Sequence, residues 1–341
     1  MPVMRKALLS FLLLLVPLAV SAQSSQSGDK ADVILSKPGG GPRWSLAIHG
    51  GAGTIPKTLP EAEKEQYLRS LGEALKAGQE VLRQGGTSLD AVEKVVRFLE
   101  DDPLFNAGRG AVYTHEGTHE LDAAIMDGRN LACGSVAALK TVRNPISLAR
   151  MVMEKSPHVF MVGEGAEKFA AEVKAERVAQ DYFDTPKRHA QWQEALRKEK
   201  EEKEEKDMDT VGAVALDVHG NLAAATSTGG MTNKRFGRLG DVPVIGAGTY
   251  ANNRTCAISA TGWGEQFIKH TVAHDISALM EYAGLTLQQA TDRVIHQKLK
   301  PGDGGVIGVA RDGSIALVFN SEGMYRGAAD SAGRFEVKIW E

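Results

Sequence analysis

The chain has 341 residues, of which 43% are hydrophobic and 24% charged, with 40 Lys and Arg against 43 Asp and Glu. That composition supports a core and excludes disorder of the whole chain. Two Cys exclude a disulfide scaffold, and a formal net charge of −3 gives no long-range attraction for nucleic acid.

Arg5 and Lys6 precede an apolar run from Ala7 to Val20, and Val20-Ser21-Ala22 then supplies small residues suited to a cleavage site. This is the order of a secretory signal peptide over residues 1–22. At about 1.5 Å per residue the run is too short to cross a bilayer core of about 30 Å, so cleavage after Ala22 is favoured over a membrane anchor. A secreted or periplasmic protein with no membrane attachment in its mature form is expected. Residues 23–43 are rich in Ser, Gly, Lys and Asp and read as a flexible arm. Export would permit a disulfide between Cys133 and Cys256, but two buried free thiols are the favoured reading.

Trp44 to His49 reads as a short apolar strand running into Gly50-Gly51-Ala52-Gly53. Amphipathic helices are expected over 60–84 and 87–101, the second with Ser88 as N-cap candidate. Residues 110–139 carry short β-rich runs, and 145–155 and 164–175 are again helical. Residues 180–208 read as a charged linker or solvated helix. Within it, 197–207 (RKEKEEKEEKD) holds five positive and six negative charges and no apolar residue, so that run has nothing to place in a core.

Past the linker, Asp209-Thr210 leads into Val211–Leu216, a buried-type strand, which a turn at Asp217–Asn221 returns as Leu222–Thr226. Cys256–Ala260 is a further strand. Helices are expected over about 264–282 and 286–299, then a hairpin turning at Asp312-Gly313 and a last strand near 334–339. Strands and helices alternate without a βαβ rhythm, so the fold class is α+β, a layered sandwich with antiparallel sheets inside and helices outside.

His115-Glu116-Gly117-Thr118-His119 matches the H-E-x-x-H zinc pattern. Gly117 and the β-branched and aromatic neighbours favour strand and turn over helix. On a strand the two imidazoles would stand about 13 Å apart, too far to share an ion. No metal site is expected there. Neither a G-x-S-x-G elbow nor a P-loop occurs.

A Thr hydroxyl is a weak nucleophile and needs a base. A Thr at a chain terminus carries its own, an α-amine with a pKa of about 7.7–8.0. A mobile hydrophilic segment, then Asp209-Thr210, then a core strand is a layout that would expose the bond before Thr210 to cutting. The surrounding motifs are Asp209-Thr210-Val211-Gly212, Thr226-Ser227-Thr228-Gly229-Gly230-Met231-Thr232-Asn233-Lys234, Gly237-Arg238-Leu239-Gly240-Asp241 and Thr261-Gly262-Trp263-Gly264-Glu265. With IHGGAGTI, LFNAGRGAVYT and HELDAAIMDG upstream, the chain from Trp44 onward resembles the plant-type L-asparaginase / isoaspartyl peptidase family of N-terminal-nucleophile hydrolases.

The resemblance implies a four-layer αββα sandwich in one domain over 44–341. It implies autocleavage between Asp209 and Thr210 into an α-subunit ending at 209 and a β-subunit of 210–341. Thr210 would be the nucleophile, with Thr228 bonded to its amine and hydroxyl and Asn106 supporting the region. Arg238 would clamp the substrate α-carboxylate and Asp241 its α-ammonium. Thr261 and the Gly262 amide would form the oxyanion hole, and Gly264 would add a backbone contact. The reaction would be hydrolysis of β-aspartyl dipeptides and L-asparagine, with no cofactor required beyond a structural sodium in the loop 99–109. A dimer of αβ units is implied. Asp209 itself is typical of the glycosylasparaginase branch, where the asparaginase branch usually has Gly, so glycosylasparaginase is the alternative activity.

Overall fold

A computed structural model describes residues 43–200 and 209–341. The expectations for the signal peptide, for the arm up to residue 42 and for the linker part 201–208 lie outside the described residues. In chain order the elements are β1 (Ser45–Gly53), α1 (Glu61–Arg83), α2 (Ser88–Asp101), β2 (Leu121–Asp127), β3 (Cys133–Leu139), α3 (Pro145–Lys155), β4 (Phe160–Val162), α4 (Gly163–Glu172) and α5 (Pro186–Lys200). They continue as β5 (Val211–Leu216), β6 (Leu222–Thr228), β7 (Thr249–Ala251), β8 (Cys256–Gly262), α6 (Gly264–His270), α7 (Val272–Ala283), α8 (Leu287–Asp292), β9 (Gly304–Ala310), β10 (Ile315–Phe319), β11 (Gly323–Asp330) and β12 (Phe335–Lys338).

Two sheets form, one in the order β12-β11-β1-β5-β6-β2-β3-β4 and one in the order β10-β9-β8-β7. All neighbours are antiparallel except β3 and β4. Period-two alternation sorts the side chains into layers. Val211, Ala213 and Ala215 of β5 join the core beneath α1 to α4, whereas Val214 and Leu216 face the second sheet. Cys256, Ile258 and Ala260 of β8 pack against α6, α7 and α8, and Ala257 faces inward. The result is the four-layer αββα sandwich. Ala is the commonest residue of the middle core, and its short side chain lets polar groups thread between the sheets at one end.

Several elements extend or correct the sequence reading. β1 runs on through the glycines to Gly53, with a bulge between His49 and Gly51. The cap of α2 is Thr87, whose side chain accepts from the Asp90 amide at 3.1 Å. The single helix expected over 264–282 breaks at Thr271, which is left-handed (φ 49°), giving α6 and α7. The stretch read as a charged linker or solvated helix is folded as far as Lys200, and its helix is anchored to the core. Gln180–Phe183 forms a 3-10 turn with Phe183 fully buried, and α5 follows. The reason is an i, i+4 pair on one face of α5: Arg188 is buried, and Trp192 stacks on Tyr113 at 5.3 Å. Cys133 and Cys256 are free thiols as expected, but only Cys256 is buried and Cys133 is half-buried. Among the described residues no helix is long and apolar enough to cross a membrane.

Candidate active site

The alternation that builds the middle core also carries the site. On β5 and β6 the inward positions continue to Thr210 at the start of one strand and to Thr226 and Thr228 at the end of the other. On β8 the inward series from Ala257 continues to Ser259 and Thr261. Thr210, Thr228 and Thr261 therefore lie at one end of the cleft between the sheets, all buried.

The carbonyl of Asp209 is held from two sides. Its oxygen accepts from Asn106 Nδ2 at 2.9 Å and from the Thr228 hydroxyl at 3.2 Å. The Thr210 hydroxyl in turn donates to Thr228 Oγ1 at 3.3 Å, and the Gly230 amide donates to the same oxygen at 2.9 Å. A chain thus runs from the Thr210 O–H through Thr228 to the carbonyl one bond before Thr210. Asn106 is fixed by its own full complement: its second amide hydrogen goes to Gly230 O at 2.7 Å, and its Oδ1 accepts from the Val112 amide at 3.0 Å. This arrangement can move a proton from a hydroxyl toward a carbonyl oxygen already polarised by two donors.

The other side of Thr210 is fixed by a residue to which the sequence reading gave no role. His49 Nδ1 lies 2.9 Å from the Thr210 carbonyl oxygen, and its Nε2 lies 2.8 Å from Ser259 Oγ. Because a carbonyl only accepts, Nδ1 carries the hydrogen and Nε2 accepts from Ser259. Burial pushes the imidazole down to about 3, against the opposing bond to Thr210, so it is neutral. Ser259 continues to Thr226 (2.7 Å), which accepts from Thr249 (2.7 Å). Room for this wire comes from Gly212, opposite His49 in the β1–β5 register. A Cβ there would stand 2.0 Å from Ser259 Oγ and 2.4 Å from His49 Nε2.

A narrow cavity adjoins Thr210 and Thr228 and is lined also by Arg238, Asp241 and Gly262. Arg238 gives its Nε–Nη2 edge to Glu265 in a bidentate pair, at 2.9 and 2.7 Å. Its outer edge is not used in that pair. Burial raises the Glu265 carboxyl, but the bond and charge of Arg238 outweigh this and hold it below its ordinary value. Asp241 is buried, its Oδ2 has no partner, and burial pushes its carboxyl up to about 7 against the attraction of Arg238. Gly264 opens the space between the two. A Cβ on it would meet Asp241 Oδ1 at 2.9 Å and Arg238 Nη2 at 3.0 Å. The cavity therefore pairs a cation with a carboxyl that lacks a counterion, next to a hydroxyl.

Of the residues expected from sequence, Asp209, Thr210, Thr228, Arg238, Asp241 and Gly262 line this one cavity, and Asn106 reaches it through the Asp209 carbonyl. Thr261 is set behind Gly262, its hydroxyl accepting from the Ala52 amide at 3.1 Å. Gly264 acts by its small size. The sequence reading missed His49, Ser259 and Glu265. Alternation along β8 carries the signal for Ser259, two residues before Thr261. The signal for His49 is a polar residue inside an apolar strand. Asp122 is also buried, opposite Thr228 in the β2–β6 register, with its carboxyl raised by burial against the pull of Lys234.

His115 and His119 turn away from each other. His115 contacts Asn233 Oδ1 at 2.8 Å, whereas His119 contacts Val112 O at 3.1 Å and Asp184 Oδ1 at 3.0 Å. The segment between them is a turn, because Gly117 at φ 75° leaves the helical region.

The family model described as asparaginase matches residues 42–339, and the chain belongs to that family. The isoaspartyl peptidase of Salmonella typhimurium is 54% identical over 293 residues, covering 82% of this chain and 93% of that protein. The isoaspartyl peptidase of Escherichia coli is 51% identical, covering 82% and 91%. A probable isoaspartyl peptidase/L-asparaginase of Arabidopsis thaliana is 44% identical over 331 residues, covering 87% of this chain and 99% of that protein.

Proposed function

We propose that this chain is the precursor of a threonine-dependent amidohydrolase that cuts itself between Asp209 and Thr210 and then hydrolyses β-aspartyl dipeptides and L-asparagine. The observation that carries this is the pair of donors on the Asp209 carbonyl, with the Thr210 hydroxyl joined to one of them. In self-cleavage Thr210 Oγ1 adds to the Asp209 carbonyl carbon. Its proton passes to Thr228 as Thr228 protonates the developing oxyanion, which Asn106 also stabilises. As the proton of the new hydroxyl passes back through Thr228 to the nitrogen, collapse breaks the C–N bond and leaves Asp209 esterified to Thr210 with a free amine. Water then hydrolyses the ester, and Asp209 ends the α-subunit.

In the second reaction the new amine is the base. It takes the hydroxyl proton while Oγ1 adds to the substrate's side-chain carbonyl, whose oxygen is received by Thr261 and the Gly262 amide. The C–N bond breaks as the Thr210 ammonium gives its proton to the leaving nitrogen, and water releases aspartate by the reverse steps. Arg238 takes the α-carboxylate on its outer edge while Glu265 holds the other edge. The α-ammonium supplies the counterion that buried Asp241 lacks. Gly264 keeps the space between them open.

The relatives' names favour this activity over that of a glycosylasparaginase. Incubating the matured protein with β-aspartyl-leucine, L-asparagine and N4-(β-N-acetylglucosaminyl)-L-asparagine tests it. Release of aspartate from the first two is expected, and turnover of the glycosylated substrate alone overturns it. The family likeness supports a structural sodium in the loop 99–109, with backbone carbonyls as its ligands. Sodium would brace the loop that carries Asn106 and enters no chemical step. The signal-peptide pattern of residues 1–22 supports action in the periplasm or outside the cell, and the family likeness supports a dimer of αβ units.

A further inference from the structure

The hydrolytic step proposed above gives the leaving group a direction. The Thr210 ammonium must hand its proton to the departing nitrogen, so that nitrogen leaves on the amine side of Thr210. In the uncut chain that side is occupied by Asp209. A second cavity of about 140 Å³ opens there, and Asp209 lines both it and the cavity that holds Arg238 and Asp241. Cleavage frees Asp209 from Thr210 and so removes the covalent partition between the two spaces.

The second cavity has the chemistry of an amino-acid site. Ile55 and Leu59 give it an apolar wall, and Tyr67 and Tyr325 stack there with centroids 4.2 Å apart. Two cations from α5 complete it. Lys187 donates to Glu63 at 2.7 Å and to the Tyr67 hydroxyl at 2.8 Å. Arg188 is 2% exposed. Its Nε donates to Gly110 O at 2.7 Å and its Nη1 to Gln191 Oε1 at 3.0 Å, but its Nη2 has no hydrogen-bond partner. A buried guanidinium nitrogen without an acceptor is unfavourable unless an acceptor arrives at a later stage. Asp209 indicates what kind: its own carboxylate stands 4.0 Å from Arg188 Nη1. That carboxylate is a stand-in for one that enters after the cut.

We propose that this cavity is the leaving-group subsite and takes the amino acid released from a β-aspartyl dipeptide. The α-carboxylate of that residue pairs with Arg188 and Lys187, and an apolar side chain lies against Ile55, Leu59, Tyr67 and Tyr325. The assignment rests on the hydrolytic reading above and specifies its substrate: a dipeptide with a free C-terminal carboxylate. Ammonia leaving from L-asparagine has no group to place there.

The test compares β-aspartyl-leucine with its C-terminal amide, using wild-type protein shown to carry a free Thr210 terminus. The free acid is expected to have a kcat/KM about tenfold or more above that of the amide, the scale of a charge-assisted contact. Equal values overturn the subsite. Arg188→Met is expected to lower the ratio of β-aspartyl-leucine to L-asparagine turnover by about tenfold, and Arg188→Lys to restore part of it. That ratio does not depend on how much precursor has matured, and an unchanged ratio overturns the assignment. Free leucine should inhibit competitively and leucinamide should not; equal inhibition counts against the subsite. If matured protein turns over neither dipeptide nor asparagine, the hydrolytic reading itself fails and takes the subsite with it.

Discussion

The two ends of the Thr210 cleft differ in how far their polar groups are satisfied. At the Asp209 end, the Asp209 carbonyl oxygen accepts twice, Asn106 uses its acceptor and two donors, and Thr228 both accepts and donates. At the Asp241 end, one carboxylate oxygen has no partner and burial keeps the carboxyl protonated up to about pH 7. The difference is one of timing. In the proposed function, the uncut chain is complete for its first reaction, whose substrate is its own backbone. It is incomplete for the second, in which an α-amino acid would bring the missing ammonium. An orphaned buried group is unfavourable in the empty protein and favours whatever ligand completes it.

Substitutions can break this contrast. Thr210→Ala removes the group common to both ends. It should abolish both the chain cut and hydrolysis, with activity down by at least about 10⁴-fold, as for a removed nucleophile. A cut chain in this variant would end the account. Asn106→Ala strikes the Asp209 end. Loss of one oxyanion donor is typically about 2.7–4 kcal/mol, so self-cleavage should slow by about 10²–10³-fold. The molecules that do mature should lose less turnover than they lose self-cleavage, because Asn106 donates to the Asp209 carbonyl directly but reaches the substrate pocket only through Gly230 O; equal losses in both reactions would count against separate ends.

Asp241→Asn strikes the other end. KM for L-asparagine should rise about 10²-fold with the loss of a buried charge pair, and the rate of self-cleavage should change little. The pH dependence has a definite sign. The Asp241 carboxyl is raised to about 7 in the folded chain, so the stability it contributes as a neutral group is full below about pH 3.8 and is lost as pH rises through about 7. Binding an ammonium favours the ionised form. At pH 6, substrate binding should therefore release a proton, visible by calorimetry in buffers of different ionisation enthalpy, and the release should vanish in Asp241→Asn. Ser259→Ala is the mildest change. It leaves the buried Nε2 of His49 without a donor and should lower stability by about 1–3 kcal/mol, read from the urea midpoint.

The legible parts of the fold were those with strong local patterns. α2 and the β5–β6 pair follow from periodicity and turn chemistry. β11 was not legible: GMYRGAAD holds two glycines, an Arg and an Asp, and becomes a strand because it lies between β1 and β12. The charge of α5 fits a linker or solvated helix; the helix forms, but its anchoring comes from two positions, Arg188 and Trp192, that composition does not single out. The candidate site was legible through threonines and glycines in ordered motifs. His49 and Ser259 were not, since their partners are 161 and 210 residues away in sequence. Local alternation marks each as an inward polar position but does not say which residue it pairs with.

The central claim is tested most directly by following freshly purified protein over time by intact mass and N-terminal sequencing, with aspartate release from L-asparagine assayed in the same samples. Conversion to a fragment beginning at Thr210, with activity rising in proportion to it, is the predicted result. Full activity in a chain that stays uncut between Asp209 and Thr210 would contradict it.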